Sequence, residues 1–135
     1  AAMLVFATGH LQGEEGERTV ALDWAALARP HQTVVIYMGV GTLPIICAQL
    51  IAHGLPASTP AAMIERATLP GQRSIVGTLQ TLPQLSVAYG VNPPALVMIG
   101  DTVALHARIG SSAEVLTGFP AVVDAASPQA LACTA

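Results

Sequence analysis

Apolar residues fall along this chain in short blocks, each closed by glycine, proline or a polar turn, the rhythm of alternating strands and helices. The clearest such passage is Thr33–Thr68. Its run Val34–Met38 is β-branched and aromatic, which suits a buried strand. Gly39 and Gly41 let the backbone turn sharply and leave room for a group close by. Thr42 can cap the next helix, and Pro44 suits its first turn, where an amide would go unpaired. Leu43, Ile46, Leu50 and Ile51 supply that helix with an apolar face. Gly54 ends it, Pro56 and Pro60 forbid its continuation, and a second strand follows from Ala61 to Glu65. The pattern predicts a βαβ unit, whose strand ends are where an open α/β sheet holds ligands.

The flanks continue the alternation. Met3–Ala7 predicts a strand ending in Thr8-Gly9-His10, and the polar Gln12–Thr19 a solvated loop. Asp23 caps a short helix, Trp24–Arg29, closed by Pro30, with Trp24 as a core anchor. Downstream, Leu69–Gln72 is a turn by composition, and Arg73–Leu79 alternates as a strand antiparallel to its predecessor. Thr81–Ala88 reads as a helix with Thr81 as cap, Pro83 in its first turn and Gly90 as its stop. Asn92-Pro93-Pro94 is a stiff lead into Ala95–Ile99, an apolar strand of the buried kind. Gly100-Asp101 ends that strand, and Thr102–Arg108 continues as a short strand or helix. Beyond Gly110 the pattern offers only a helix over Ala121–Ala132, broken at Pro128.

Composition narrows the class. A chain of 135 residues is enough for one domain with a real core. Hydrophobic residues make up 53% and charged residues 10%, well under the usual share of about a quarter charged. Another domain or a second subunit is therefore expected to cover part of the surface. No apolar run nears the ~18 residues a spanning helix needs, and the apolar opening lacks a signal peptide's basic region, so no membrane is expected. The net charge is −3, and Arg18, Arg29, Arg66, Arg73 and Arg108 are scattered with no lysine, so no basic patch invites nucleic acid. Cys47 and Cys133 lack framework spacing, which points to reduced thiols in a cytoplasmic protein.

Candidate chemistry is sparse. His10, His31, His53, His106 and the two cysteines show no metal-ligand spacing. His53 instead suits the negative end of its helix. There is no G-x-S-x-G, and no serine beside a histidine and an acid in a recognisable order. Gly39-x-Gly41 lacks the third glycine and the acidic residue of a dinucleotide fingerprint, and the lysine of a phosphate loop. Glu65 and Arg66 either face a cleft or, the better-supported reading, pair with each other at the surface. Asp101 closes a buried strand, a place equally suited to a site and to capping the next turn. The residues alone describe an α/β half with a strand-end crevice and no self-sufficient catalytic set.

An ordered series adds to this. Thr8-Gly9-His10, Asp23-Trp24, Tyr37-Met38-Gly39, Pro60–Thr68, Gln72-Arg73, Gly77-Thr78-Leu79 and Pro94–Gly100 occur with matching separations. Together they resemble the carboxy-terminal domain of the uroporphyrinogen-III C-methyltransferases, within the tetrapyrrole methylases, and the methylase portion of siroheme synthases. The resemblance covers Met3 to Arg108. It implies an α/β fold with a mixed sheet flanked by helices, a domain over residues 1–109 and a tail over 110–135. It implies methyl transfer from S-adenosyl-L-methionine to C2 and C7 of uroporphyrinogen III, giving precorrin-2 and S-adenosyl-L-homocysteine, toward siroheme and cobalamin. By the same resemblance Met38, Ala67 and Ala95 contact the cofactor, the enzyme is a homodimer, and no metal need take part.

The departures are as informative. The family's glycine-rich G-x-G-x-G-D loop, its Gly-Gly-Asp-Pro loop and its proposed acid and base residues belong to an amino-terminal domain and have no counterpart here. The resemblance therefore implies that such a domain precedes this chain, and no catalytic residue is assigned within it. Two rivals stand beside this reading. One is a tetrapyrrole methylase acting at another ring position, and the other is a non-catalytic dimerisation or ligand-binding module.

Overall fold

The strand Gln32–Tyr37 (β2) is buried along its first five residues, as an unbroken run of β-forming side chains requires. It starts two residues earlier than the apolar pattern suggests, because its polar leaders find partners. Gln32 Nε2 donates to the carbonyls of Ala26 and Leu27 at 2.8 and 3.0 Å, and the Thr33 hydroxyl meets that of Thr102 at 2.6 Å. The structure is a computed structural model, and it describes residues 3–10, 21–105 and 114–118. The predicted loop Gln12–Thr19, the helix Ala121–Ala132, His106 and Cys133 lie outside those residues.

The other elements are β1 (Met3–Thr8), α1 (Trp24–Leu27), α2 (Leu43–Ala52), β3 (Pro60–Glu65), β4 (Arg73–Thr78), α3 (Leu82–Ala88), β5 (Ala95–Ile99) and β6 (Glu114–Thr117), with a 3₁₀ turn at Asp101–Leu105. They form a mixed six-stranded sheet in the order β1-β2-β5-β3-β4-β6. β1 runs parallel to β2, and β6 parallel to β4; the remaining neighbours are antiparallel. β6 appears where the sequence pattern offers no element.

The predicted βαβ unit has the expected directions but not the expected neighbours. β2 and β3 run parallel, yet β5 lies between them and is antiparallel to both. β5 is apolar throughout, which suits a strand flanked on both sides, and its Val97 and Ile99 are fully buried there. One core cluster joins Val34, Ile36, Met63, Ile75, Val97 and Ile99 of the sheet to Leu27, Ile46, Leu50, Leu82 and Leu85 of the three helices. These strand residues stand opposite one another in register, so the helices share one face of the sheet.

Helix ends follow the sequence with two exceptions. Asp23 caps α1, its Oδ1 accepting from the Ala26 amide at 3.1 Å, although the helix is shorter than expected. Thr42 and Thr81 occupy cap positions without capping. The Thr42 hydroxyl donates to the Gly9 carbonyl at 2.7 Å, and the Thr81 hydroxyl accepts from the Thr78 amide at 3.0 Å. In both cases proline in the first turn already removes one unpaired donor, which frees the hydroxyl for another bond, long-range for Thr42 and back into the preceding turn for Thr81. Among the described residues no helix is long and apolar enough to cross a membrane.

Gly100 seals β5 against its neighbours. Its φ is +137°, a Cβ there would lie 2.8 Å from the Gln32 carbonyl oxygen, and its amide donates to Pro60 O at 2.9 Å. Both backbone and space therefore demand glycine. Gly100→Ala is expected to cost about 2–3 kcal/mol, and an unchanged urea midpoint would contradict this account.

Candidate functional site

Because β2 and β3 are parallel, both end on the same edge of the sheet, and antiparallel β5 begins there. Three connections meet on that edge: the turn after β2, the 66–72 loop after β3, and the Pro93-Pro94 lead into β5. They surround a mostly apolar cleft of about 650 Å³, within the range of about 300–1,000 Å³ typical of small-molecule sites. Met38, Ala67 and Ala95 all line it, one from each connection. Val40, Gly41, Leu69, Pro93 and Pro94 complete much of the wall.

Backbone strain concentrates on this rim. Met38, Arg66 and Thr68 have φ of +56°, +54° and +68°, three of the four non-glycine residues in the left-handed region among those described. Each such residue costs about 1–3 kcal/mol and persists only where its surroundings hold it. The sequence had assigned the sharp turn to Gly39 and Gly41, yet the residue that turns is Met38. Gly39 serves packing instead: a Cβ there would meet Val97 and Ile46 side chains at 3.2 and 3.3 Å. Gly41 has open space around it and lines the cleft, so the room expected beside it is present.

The Met38 turn is held from behind by the Thr8-Gly9-His10 segment. The Gly9 amide donates to Tyr37 O at 2.7 Å, and its carbonyl accepts from Thr42 at 2.7 Å. A Cβ on Gly9 would sit 3.1 Å from the Gly39 Cα, so these two glycines allow the motifs to pack backbone against backbone. The 66–72 loop is pinned by Arg66 N to Pro94 O at 3.0 Å, Leu69 N to Arg66 O at 3.0 Å, and Thr68 N to Gln72 Oε1 at 2.7 Å. Among the described residues the Ala67 amide enters no hydrogen bond.

Glu65 does not pair with Arg66. Its carboxylate accepts from Arg73 Nε at 2.6 Å and from the Asn92 amide at 3.2 Å, while Arg73 also donates to Tyr89 O at 3.0 Å. The reason is register: Glu65 and Arg73 stand directly opposite across the β3–β4 hairpin. The Arg73 guanidinium holds the Glu65 carboxyl below the usual carboxylate range, and Glu65 in turn raises Arg73. This network ties the end of β3 to the segment that carries Pro93 and Pro94. Arg66 is left exposed on the rim.

Asp101 falls on the wrong edge. β5 runs antiparallel, so its carboxyl end lies opposite the cleft, beside a smaller hollow of about 260 Å³ that also touches Arg29 and His31. His53 sits at the end of α2 as expected, its Nδ1 2.7 Å from Gln49 O. Burial pushes the Cys47 thiol up to about 12, so it packs as a neutral group. No cluster of potential metal ligands exists among the described residues. Sequence reasoning missed Thr68, Leu69 and Pro93 as cleft residues. Their signal was the pair of loops themselves, both at the same edge once β5 is placed between β2 and β3.

The cleft lies at the strand ends of a mixed α/β sheet, floored by small residues and walled by strained turns. The chain belongs to the tetrapyrrole methylase family: the profile of the Tetrapyrrole (Corrin/Porphyrin) Methylases matches residues 4–83. It is 49% identical over 105 residues to a siroheme synthase of Nitrosomonas europaea, covering 78% of this chain and 21% of that protein. The chain thus spans about a fifth of the length of that relative. Among solved structures it is similar to uroporphyrin III C-methyl transferase of Thermus thermophilus, with 31% identity and a TM-score of 0.57 over 76% of this chain and 42% of that one. The same Thermus enzyme complexed with S-adenyl homocysteine aligns at 29% identity, with a TM-score of 0.61 over 76% of this chain and 41% of that one.

Proposed function

We propose that this chain forms the carboxy-terminal wall of the cofactor cleft in an S-adenosylmethionine-dependent uroporphyrinogen-III C-methyltransferase. The complete enzyme methylates C2 and C7 of its substrate and yields precorrin-2. The observation that carries this reading is the meeting of Met38, Ala67 and Ala95 on one cleft. The same reading takes residues 1–109 as the methylase domain, supplies an amino-terminal domain across the cleft, and makes the enzyme a cytoplasmic homodimer.

The residues present fit the cofactor. The volume suits a molecule of its size, the lining is apolar enough for an adenine ring, and the Ala67 amide makes no bond within the described residues. Ala67 and Ala95 keep the wall flat, so backbone groups can approach a planar ring closely, and Met38 offers a polarizable side chain from the opposite turn. When bound, the cofactor would supply an electrophilic methyl group on a sulfonium, which a nucleophilic ring carbon would take by in-line displacement, the C–S bond breaking as the C–C bond forms and the neutral thioether leaving. This chain contributes orientation and exclusion of water, which such a transfer needs more than acid–base assistance at the methyl itself. Removal of the ring proton afterwards falls to the other wall of the cleft.

Half a cleft should bind poorly and react not at all. Residues 1–135 alone are expected to bind S-adenosylmethionine at least about tenfold more weakly than the complete methylase, since the ligand keeps one face in water. They are expected to transfer no methyl group to uroporphyrinogen III. Radiolabelled methyl transfer by the isolated chain would overturn this division of labour.

A further inference from the structure

Among the described residues Arg66 is the one charged side chain in the lining of the cleft. It also lines an adjoining hollow of about 510 Å³ bounded by Glu65, Gly71, Arg73, Asn92 and the two prolines. Within that hollow the charges do not cancel. Glu65 is committed to Arg73 and to the Asn92 amide, so the Arg66 charge has no carboxylate bound to it. Among the described residues its guanidinium makes no hydrogen bond or ion pair.

Its backbone is nevertheless held. The backbone of Arg66 is bonded at both ends, to Pro94 O and from Leu69 N, and is held at φ +54°. Nη1 lies 3.5 Å from where a Cβ on Gly71 would stand, so the guanidinium rests against a residue without a side chain. A bulky arginine in a left-handed turn, where glycine or asparagine would sit more easily, is a costly choice for a mere surface charge. An unpaired, exposed guanidinium carried on a held backbone at the junction of two hollows presents a fork matched to a carboxylate.

We propose that Arg66 anchors a carboxylate of the ligand that spans these two hollows, and so acts as a specificity-determining residue of the site. The inference rests on the proposed function, which brings two sources of that chemistry. One is the amino-acid end of the cofactor. The other is the tetrapyrrole, whose every pyrrole carries an acetate and a propionate. Either anion would take a pair of charge-assisted hydrogen bonds from the fork, and an uncharged analogue would lose them.

The test uses the complete methylase with Arg66→Gln, Arg66→Lys and Arg66→Asn, the last because asparagine tolerates the left-handed backbone. Calorimetry measures S-adenosylhomocysteine and its carboxylate-free analogue 5′-methylthioadenosine; fluorescence quenching measures uroporphyrin III. If the tetrapyrrole is the source, Gln and Asn variants bind uroporphyrin III about tenfold to a hundredfold more weakly, with the cofactor product unchanged. If the cofactor is the source, S-adenosylhomocysteine weakens by a similar factor and 5′-methylthioadenosine does not. Lysine recovers part of the loss in either case, and rising salt narrows the gap between parent and variants. Affinities within twofold of the parent for all three probes, or no recovery with lysine, would overturn the role of Arg66 alone. A parent enzyme that binds neither S-adenosylhomocysteine nor uroporphyrin III would overturn the proposed function itself.

Discussion

Met38→Asp in the complete methylase is expected to weaken S-adenosylhomocysteine binding about thirtyfold, or ~2 kcal/mol. Met38 is 61% exposed here and stands at the turn where the cleft wall begins. A ligand seated against Ala67 and Ala95 would cover it and strip water from a carboxylate placed there. The folded state should tolerate the change, since aspartate adopts the left-handed backbone more readily than methionine. Calorimetry would therefore report lost affinity beside a near-parental melting temperature. Met38→Gly sharpens the comparison: relief of the strained φ should add about 1 kcal/mol of stability, while the lost side chain still lowers affinity. Affinity within twofold of the parent for both variants would remove Met38 from the ligand's surroundings.

Glu65→Ala is expected to lower stability by about 2–3 kcal/mol. Glu65 is 8% exposed, and its removal strands the Arg73 guanidinium and leaves the Asn92 amide without its acceptor. Loss of one member of a fully buried pair costs about 3–5 kcal/mol; the Arg73 side chain is 27% exposed, so water relieves part of that cost. The pH dependence has a definite sign. The folded-state pKa of Glu65 is lowered, so its contribution is complete above the unfolded value of about 4.3 and drains as pH falls below it. Between about pH 5 and pH 3 the parent should lose stability more steeply than Glu65→Gln. Parallel urea midpoints for the two proteins across that interval would show that the ion pair contributes nothing. Because the same carboxylate tethers the Pro93-Pro94 lead, Glu65→Ala should also loosen the cleft and weaken binding beyond its cost in stability.

The sequence was most legible where a single side-chain property decided the outcome. β5 has the bounds its apolar run predicts, and Asp23 caps α1 as its short carboxylate and position suggest. It was least legible where distance along the chain hides contact in space. Nothing in Val34–Met38 or Ala61–Glu65 announces that a later strand separates them. The partner of Glu65 follows from hairpin register, which turned it toward Arg73 and left Arg66 free. The threonine hydroxyls of Thr42 and Thr81 had two good uses each: a tertiary bond to Gly9 won at Thr42, and a local bond back to the Thr78 turn at Thr81. Met38, Ala67 and Ala95 came from resemblance rather than from periodicity. Alone, two alanines look like packing, and their shared cleft exists only once three distant loops meet.

The insertion of β5 between β2 and β3 also sets an order of assembly. During synthesis the first two cleft loops are complete before Ala95–Ile99 emerges, and the strands that carry them are not neighbours in the finished sheet. A nascent chain halted before Ile99 holds two open backbone edges at its centre, competent for aggregation and without a place for a ligand. Ligand competence and escape from that hazard then arrive together, with the last central strand.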